Sequence, residues 1–423
     1  MTSRNQPVTD IQVTLPSSVA SSTSALPLAG LLTLAMAAFI TLMTEILPAG
    51  LLVAMAKGLG ISESLAGQFI TAYACGALIA AIPVTGLTQG MRRRPLLITA
   101  IAGFAVVNLI TALSGDYVIS LVARFVAGIF GGVVWSLLAG YAIRMTPPHL
   151  SGRAIAISGA GATVALALGV PAGTLLGRIV GWQGAFGIMS AMALLLVACA
   201  LVILPDFPGQ AKDQRASVAD VLWMPGIRSV LLVVLTFVTA HSILYIYIEP
   251  SLAPAGLAAN VGAVLLVFGL TSFIGLWLVG ATVDRHLQLL IVASILVFAF
   301  AALLLGVRGS MPVMVYAAVA IWGVAFGGFA AMTQTALSRL AGDTVDVALS
   351  MYTTAWNIAV AAAGVAGGVL LDRAGPGSFA WSIIAILAIS LGGVVFGLNK
   401  ALVRHADEPV SECGLTPSDR LSP

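Results

Sequence analysis

The chain has 423 residues, of which 60% are hydrophobic and only 8% charged, with a formal net charge of +3 and a mean hydropathy of +1.07. A soluble domain covers its surface with roughly 25% charged residues, so this composition excludes a soluble globular protein and points to a chain solvated mostly by lipid. The thin net charge argues against a nucleic-acid-binding face, and Cys75, Cys199 and Cys413 lack the spacing of a metal, redox or disulfide framework.

Residues 1–27 are polar and Ser-rich and lack a basic region running into a short apolar stretch with a cleavage site. They are expected to form a cytosolic tail rather than a signal peptide. A bilayer is crossed by about 20 apolar residues in a helix. That rule predicts twelve spans, at 28–54, 65–88, 96–114, 117–143, 154–178, 184–204, 228–249, 256–281, 287–306, 312–337, 346–371 and 378–399. The expected fold is an all-α integral membrane protein of twelve helices in two pseudo-symmetric six-helix bundles, 28–205 and 228–399. A cytosolic linker, 206–227, joins them, and 400–423 forms a second cytosolic tail. With the N-terminus inside, only Lys57, Arg178, Arg308 and Arg373 fall on the outer face and Arg124 lies within a span; the remaining Lys and Arg fall inside. This is the positive-inside pattern, and one missed span would scramble it.

The first span contains Thr44-Glu45-Ile46-Leu47-Pro48-Ala49-Gly50. A charge at membrane depth costs at least ~2.5 kcal/mol and marks function by default. A carboxyl in an apolar setting can exchange its proton near neutral pH, which suits proton coupling. Thr41, one turn earlier, can reach Glu45, and Pro48 frees a backbone carbonyl nearby and can kink the helix. The bland alternative is a hydrated, structural carboxylate at the outer end. After the second span comes a Gly-led basic turn, Gly86 to Arg94. In the fourth span Arg124 is followed by Gly128, Gly132 and Trp135 on one face. It reads either as a structural arginine bonding carbonyls or as a partner in proton transfer. The fifth span carries small residues at every fourth position, Gly161, Ala165, Gly169, Gly173 and Gly177, with a bend at Pro171; such ladders let helices approach closely.

In the seventh span His241, Tyr245 and Glu249 recur four apart and make one polar stripe. The turn after the eighth, Gly280 to Arg285, repeats the Gly-led basic pattern and adds Asp284. Trp322, Phe326 and Phe329 share a face of the tenth span, with Gln334 deeper, and the eleventh carries Trp356 and Asn357. Aromatic plates with a few hydrogen-bonding groups suit sugars or flat nucleosides, although core packing is the commoner reason for such a stripe. Thr41, Trp135, Tyr245, Trp322, Phe326, Gln334, Trp356 and Asn357 are the candidate substrate contacts. Glu45, Arg124, His241 and Glu249 are the candidates for proton coupling. No P-loop, zinc motif or nucleophile–base pair is present, so neither ATP use nor an enzyme is expected, and no cofactor or metal.

These segments resemble the major facilitator superfamily over nearly the whole chain. The first basic turn is similar to the signature loop G-x-L-a-D-r-x-G-R-R: Arg93 and Arg94 match its basic pair. Gln89 or Gly90 stands where the signature Asp belongs, which removes the acid of the family's inter-helix latch from the first half. Asp284 and Arg285 keep it in the second copy. "RFVAGIFGG" (124–132) resembles the fourth-span motif with its buried Arg, and "GATVALALGVPAG" (161–173) the fifth-span antiporter motif. "TEILPAGLL", "WSLLAGYAIRMTPP", "VTAHSILYIYIEP" and "DTVDVALSMYTTAWNIAV" narrow the resemblance to bacterial sugar-efflux transporters of the drug:proton antiporter branch. The resemblance implies a monomer in the bacterial cytoplasmic membrane with both termini cytosolic. Its partners would be protons, lipid and a small-molecule substrate. Export of nucleosides or drugs, proton-coupled sugar import, a channel, and a membrane-embedded enzyme or scaffold are the alternatives.

Overall fold

The computed structural model describes residues 26–80, 88, 90–147, 150–209 and 218–398. The tail 1–25, most of the first basic turn including Gln89, linker residues 210–217, the tail 399–423 with Cys413, and the side chain of Asp284 lie outside the described residues. Among the described residues all regular structure is helical.

The first expected span is two helices, α1 (Leu28–Gly50) and α2 (Leu52–Leu59), broken at Leu51 three residues after Pro48. Gly60, at φ 66°, ends α2 in the left-handed conformation that glycine takes without strain. Helix α3 (Glu63–Ile79) starts on Ser62, whose Oγ accepts from Leu65 N, and α5 (Tyr117–Arg144) starts on Asp116, whose carboxylate accepts from Ile119 N; both are ordinary N-caps. Between them runs α4 (Arg93–Leu113). Helix α6 (Ser151–Val164) passes through a π-helical turn (Ala165–Gly169) into α7 (Val170–Ile203), which breaks at Gly181 (φ 78°, ψ 164°). That break separates the fifth and sixth expected spans.

The second half follows as α8 (Val218–Trp223), α9 (Ile227–Ile246), the short α10 (Ile248–Leu252) and α11 (Val261–Arg308). It continues through α12 (Pro312–Gly327), α13 (Phe329–Ala341), α14 (Val345–Ala374) and α15 (Ser378–Gly393). The expected Gly280–Arg285 turn is not a turn. The helix runs through it and departs from helical geometry only at His286 (φ −130°, ψ 32°). Among the described residues, ten helical stretches are long and apolar enough to cross a bilayer, one of them the 51-residue stretch broken at Gly181. Glu63–Ile79, with 17 residues, stops where the described chain stops. Among the described residues, helix is found within each of the twelve expected positions, in the second of them as far as Ala80. Residues such as Ile179, Val202, Trp277 and Val313 expose more than two thirds of their surface, the outward apolar coat of a bundle solvated by lipid.

Glycines set the crossings. In the first half, α3 meets α5 where Gly76 lies on the Phe125 carbonyl and Gly128 on the Tyr73 carbonyl. In the second, α11 meets α12 where Gly275 lies on the Val324 carbonyl and Gly323 on that of Phe268. A Cβ at any of the four would collide with backbone, so the close approach requires glycine. Between halves, the second span of each packs on the fifth span of the other. Gly364 sits against Thr71, and Gly269 against the backbone of Ala167. This reciprocal pairing is the repeat expressed in contacts.

The halves are joined by hydrogen bonds at the end of the bundle remote from the termini. Val53 N donates to Glu249 Oε2 (3.1 Å), Gln68 Nε2 to Gly364 O (3.1 Å), and Tyr247 OH to Gly364 O (2.6 Å). At the other end an open cavity of about 480 Å³ is lined by α13 and α14 residues that include Gln334 and Arg339. The bundle is thus closed at its distal end.

Candidate functional site

Pro48 explains the first cluster. In a helix each N–H donates to the carbonyl four residues earlier, and proline has no N–H. The Thr44 carbonyl therefore lacks its helical donor. The Arg124 guanidinium, from α5, donates to that carbonyl through Nη2. Arg124 is fully buried, with its guanidinium carbon 5.4 Å from the centre of the Tyr73 ring and 5.6 Å from that of Phe186. Aromatic faces and a carbonyl are what an arginine at membrane depth requires. Asn108, from α4, donates through Nδ2 to the Thr44 hydroxyl (3.1 Å), and the Tyr73 hydroxyl reaches the Thr41 carbonyl (3.4 Å).

Glu45 lies next to this carbonyl and is 9% exposed. Arg124 acts on it electrostatically, yet no ion pair within 4.0 Å joins them among the described residues. Among the described residues, Nε and Nη1 of Arg124 are buried without a hydrogen-bond partner. Thr41 turns its hydroxyl onto the Ala37 carbonyl (2.7 Å), along its own helix. Trp135, about three turns beyond Arg124, is half-buried.

The small-residue ladder holds α1 in place. Gly161 lies against the Ala35 carbonyl, Gly169 against Met43 and Phe39, Gly173 against Leu47, and Gly177 against Leu51. The turn of helix bearing Glu45 is thereby locked onto the fifth span, and the next stretch of that span, with Pro171 and Thr174, faces Gly262 of the other half.

The second cluster is a packed group of aromatic rings in the second half. The His241 ring stacks on Phe326 at 3.8 Å and 13°, with Trp322 at 5.2 Å, Tyr245 at 5.4 Å and Phe268 at 5.7 Å. Trp356 extends it, 6.3 Å from Phe326. Among the described residues, three buried polar atoms there lack a hydrogen-bond partner: His241 Nδ1, Tyr245 OH and Trp322 Nε1. Phe329 departs from the Trp322–Phe326 face because the helix breaks at Gly328; it stacks on Phe237 instead (3.8 Å, 8°). Asn357 donates to the Thr353 carbonyl (2.9 Å), and Gln334 is exposed in the cavity at the termini end.

Glu249 belongs to neither cluster. The seventh span ends at Ile246, and Glu249 sits beyond it in α10, accepting from Val53 across the halves. At the termini end the basic turn finds an acid from elsewhere. Arg92 Nε pairs with Asp206 Oδ2 at 2.6 Å, and Arg94 N donates to Asp206 Oδ1 (3.2 Å). The Arg94 guanidinium donates to the Leu201 carbonyl and Arg93 N to Phe207 O. The acid comes from the sixth span's end, so the turn is tied down within its own half. Arg285 is exposed.

Sequence reasoning missed Asn108, Tyr73, Tyr247, Phe268 and Asp206. A lone amide in the apolar third span was a usable signal for Asn108. For Tyr247, two residues from the chosen Tyr245 and hence on another face, only the tertiary packing was informative.

A multi-pass helical bundle with two interlocking halves, closed at one end and carrying buried polar clusters in each half, defines a membrane transporter. The family profile described as Major Facilitator Superfamily matches residues 34–363, and the chain belongs to that family. Among curated proteins it is similar to a "Probable sugar efflux transporter" of Helicobacter pylori (strain ATCC 700392 / 26695), 26% identical over 358 residues, covering 84% of this chain and 92% of the relative.

Proposed function

We propose that the chain is a proton-coupled efflux antiporter that exports small sugars or related small polar or amphipathic molecules by alternating access. The observation that carries this reading is the Glu45–Arg124 cluster: a buried carboxyl beside a buried guanidinium with two idle N–H groups and no closed ion pair. Loss of the Glu45 proton leaves a charge that the apolar interior disfavours, and Arg124 is the group at hand to meet it. The sugar-efflux relative supports the substrate class and direction. The positive-inside pattern supports a bacterial cytoplasmic membrane location with both termini cytosolic, which makes the distal closure an outer gate. Substrate would dock against this aromatic cluster, where Tyr245 OH and Trp322 Nε1 are donors without partners among the described residues. In proteoliposomes Glu45→Gln is expected to abolish pH-driven transport; full retention would refute the assignment.

The stacked rings of this cluster favour one second reading, export of nucleosides or aromatic drugs. A substrate panel scored by proton release from purified protein separates the two.

A further inference from the structure

We propose that Pro48 sets the resting position of Arg124. By leaving the Thr44 carbonyl without a helical donor, it parks the guanidinium there, and the guanidinium passes to the Glu45 carboxylate when that group loses its proton. The inference rests on the proton-coupling role of Glu45 proposed above and adds the device that controls it.

The geometry has three parts. Glu45 directly follows Thr44, so the parked and the transferred positions of one guanidinium lie one residue apart on α1. Arg124 uses only Nη2 on the carbonyl, and its Nε and Nη1 are buried without partners. Such groups are costly to leave unpaired and are poised to donate to a new acceptor nearby. Asn108 grips the Thr44 side chain, and the glycine ladder fixes α1 against the fifth span. The carbonyl therefore stays in place while the arginine moves.

The charged and titratable surroundings are few. Glu45 is influenced by Arg124, and Arg124 by Tyr73 and Glu45. The fifth span contributes small and apolar side chains and the neutral Thr174 to its contact with α1, the third contributes the neutral Asn108, and the sixth the Phe186 ring. A proton leaving Glu45 thus has one cation to summon. An alanine at 48 would restore the N–H, return the Thr44 carbonyl to the helix, and release Arg124 to the carboxylate in every state. Pro48 is a positioning residue in this scheme, acting on the proton through Arg124.

The test needs no substrate. Purified full-length protein in lipid nanodiscs is titrated by infrared spectroscopy, following the protonated-carboxyl band that Glu45→Gln removes. In Pro48→Ala the midpoint of that band is expected to fall by about one pH unit or more, as for a carboxyl gaining a contact cation. Pro48→Gly, which also restores the N–H but leaves the helix flexible, is expected to shift it the same way. The Pro48→Ala, Arg124→Gln double variant is expected to lose the shift. An unmoved midpoint in both single variants, with the band still removed by Glu45→Gln, overturns the parking of Arg124 alone. Absence of any pH-dependent band sensitive to Glu45→Gln overturns the coupling role of Glu45 itself.

Discussion

Tyr247→Phe tests the closure of the distal mouth. Tyr247 is fully buried between Gly67 of α3 and Gly367 of α14, and its hydroxyl donates to the Gly364 carbonyl at 2.6 Å. Phenylalanine keeps the ring and removes only that donor. The Gly364 carbonyl is not orphaned, because Gln68 Nε2 also donates to it at 3.1 Å. The loss is therefore the net worth of one hydrogen bond, about 1 kcal/mol, rather than the larger penalty of a stranded polar group. With the mouth open the hydroxyl meets water and loses nothing, so the whole difference falls on the closed state. The expected result is a roughly fivefold shift toward distal opening, by the rule that about 1.4 kcal/mol is tenfold. Spin labels at Lys57 and Ala259, exposed distal positions in opposite halves, read this by pulsed electron resonance in nanodiscs, with the three cysteines replaced. The reasoning fails if Tyr247→Phe leaves the distance distribution unchanged.

Gly269→Val should open the same mouth further, because even a Cβ at 269 would meet the Ala167 backbone; the same labels would report a longer distance than in Tyr247→Phe. At the termini end, Arg92→Ala should change thermal stability by no more than about 1 kcal/mol, since the Arg92–Asp206 pair is solvent-exposed on the arginine side. Asp206→Ala should cost more, as it also strips the acceptor from Arg94 N; equal melting shifts would count against this ranking. Glu249 lies beyond the seventh span, and burial foremost, helped by nearby Glu63, raises its pKa against the opposing effects of the Val53 N–H and Arg178. The closed mouth therefore holds this proton more tightly than an open, hydrated one. Closure is favoured below the ordinary carboxylate range and weakens as pH rises through the raised value. Glu249→Gln should flatten the pH dependence of the label distance, and a distance that still titrates as in the parent would contradict this.

The sequence by itself determined the environment, the helical class, the approximate positions of the described spans and the unusual status of Glu45 and Arg124. Lipid offers the backbone no hydrogen bonds, so apolar runs of spanning length become helices, and an isolated charge in such a run stands out without any knowledge of its neighbours. Pro48 was legible as a freed carbonyl for the same reason: the missing N–H is a property of one residue and its own helix. What that carbonyl binds was not legible, because Arg124 arrives from 80 residues away. Packing decided that the Thr41 hydroxyl turns away from Glu45, that Asp206 meets Arg92, and that Glu249 bridges the halves. It also decided that Tyr247, rather than Tyr245, bolts the mouth. Each of these depends on which face of one helix meets which face of another. Glycine contacts such as Gly128 on Tyr73 and Gly269 on Ala167 set those faces, and sequence spacing shows a glycine only as a place where something can come close.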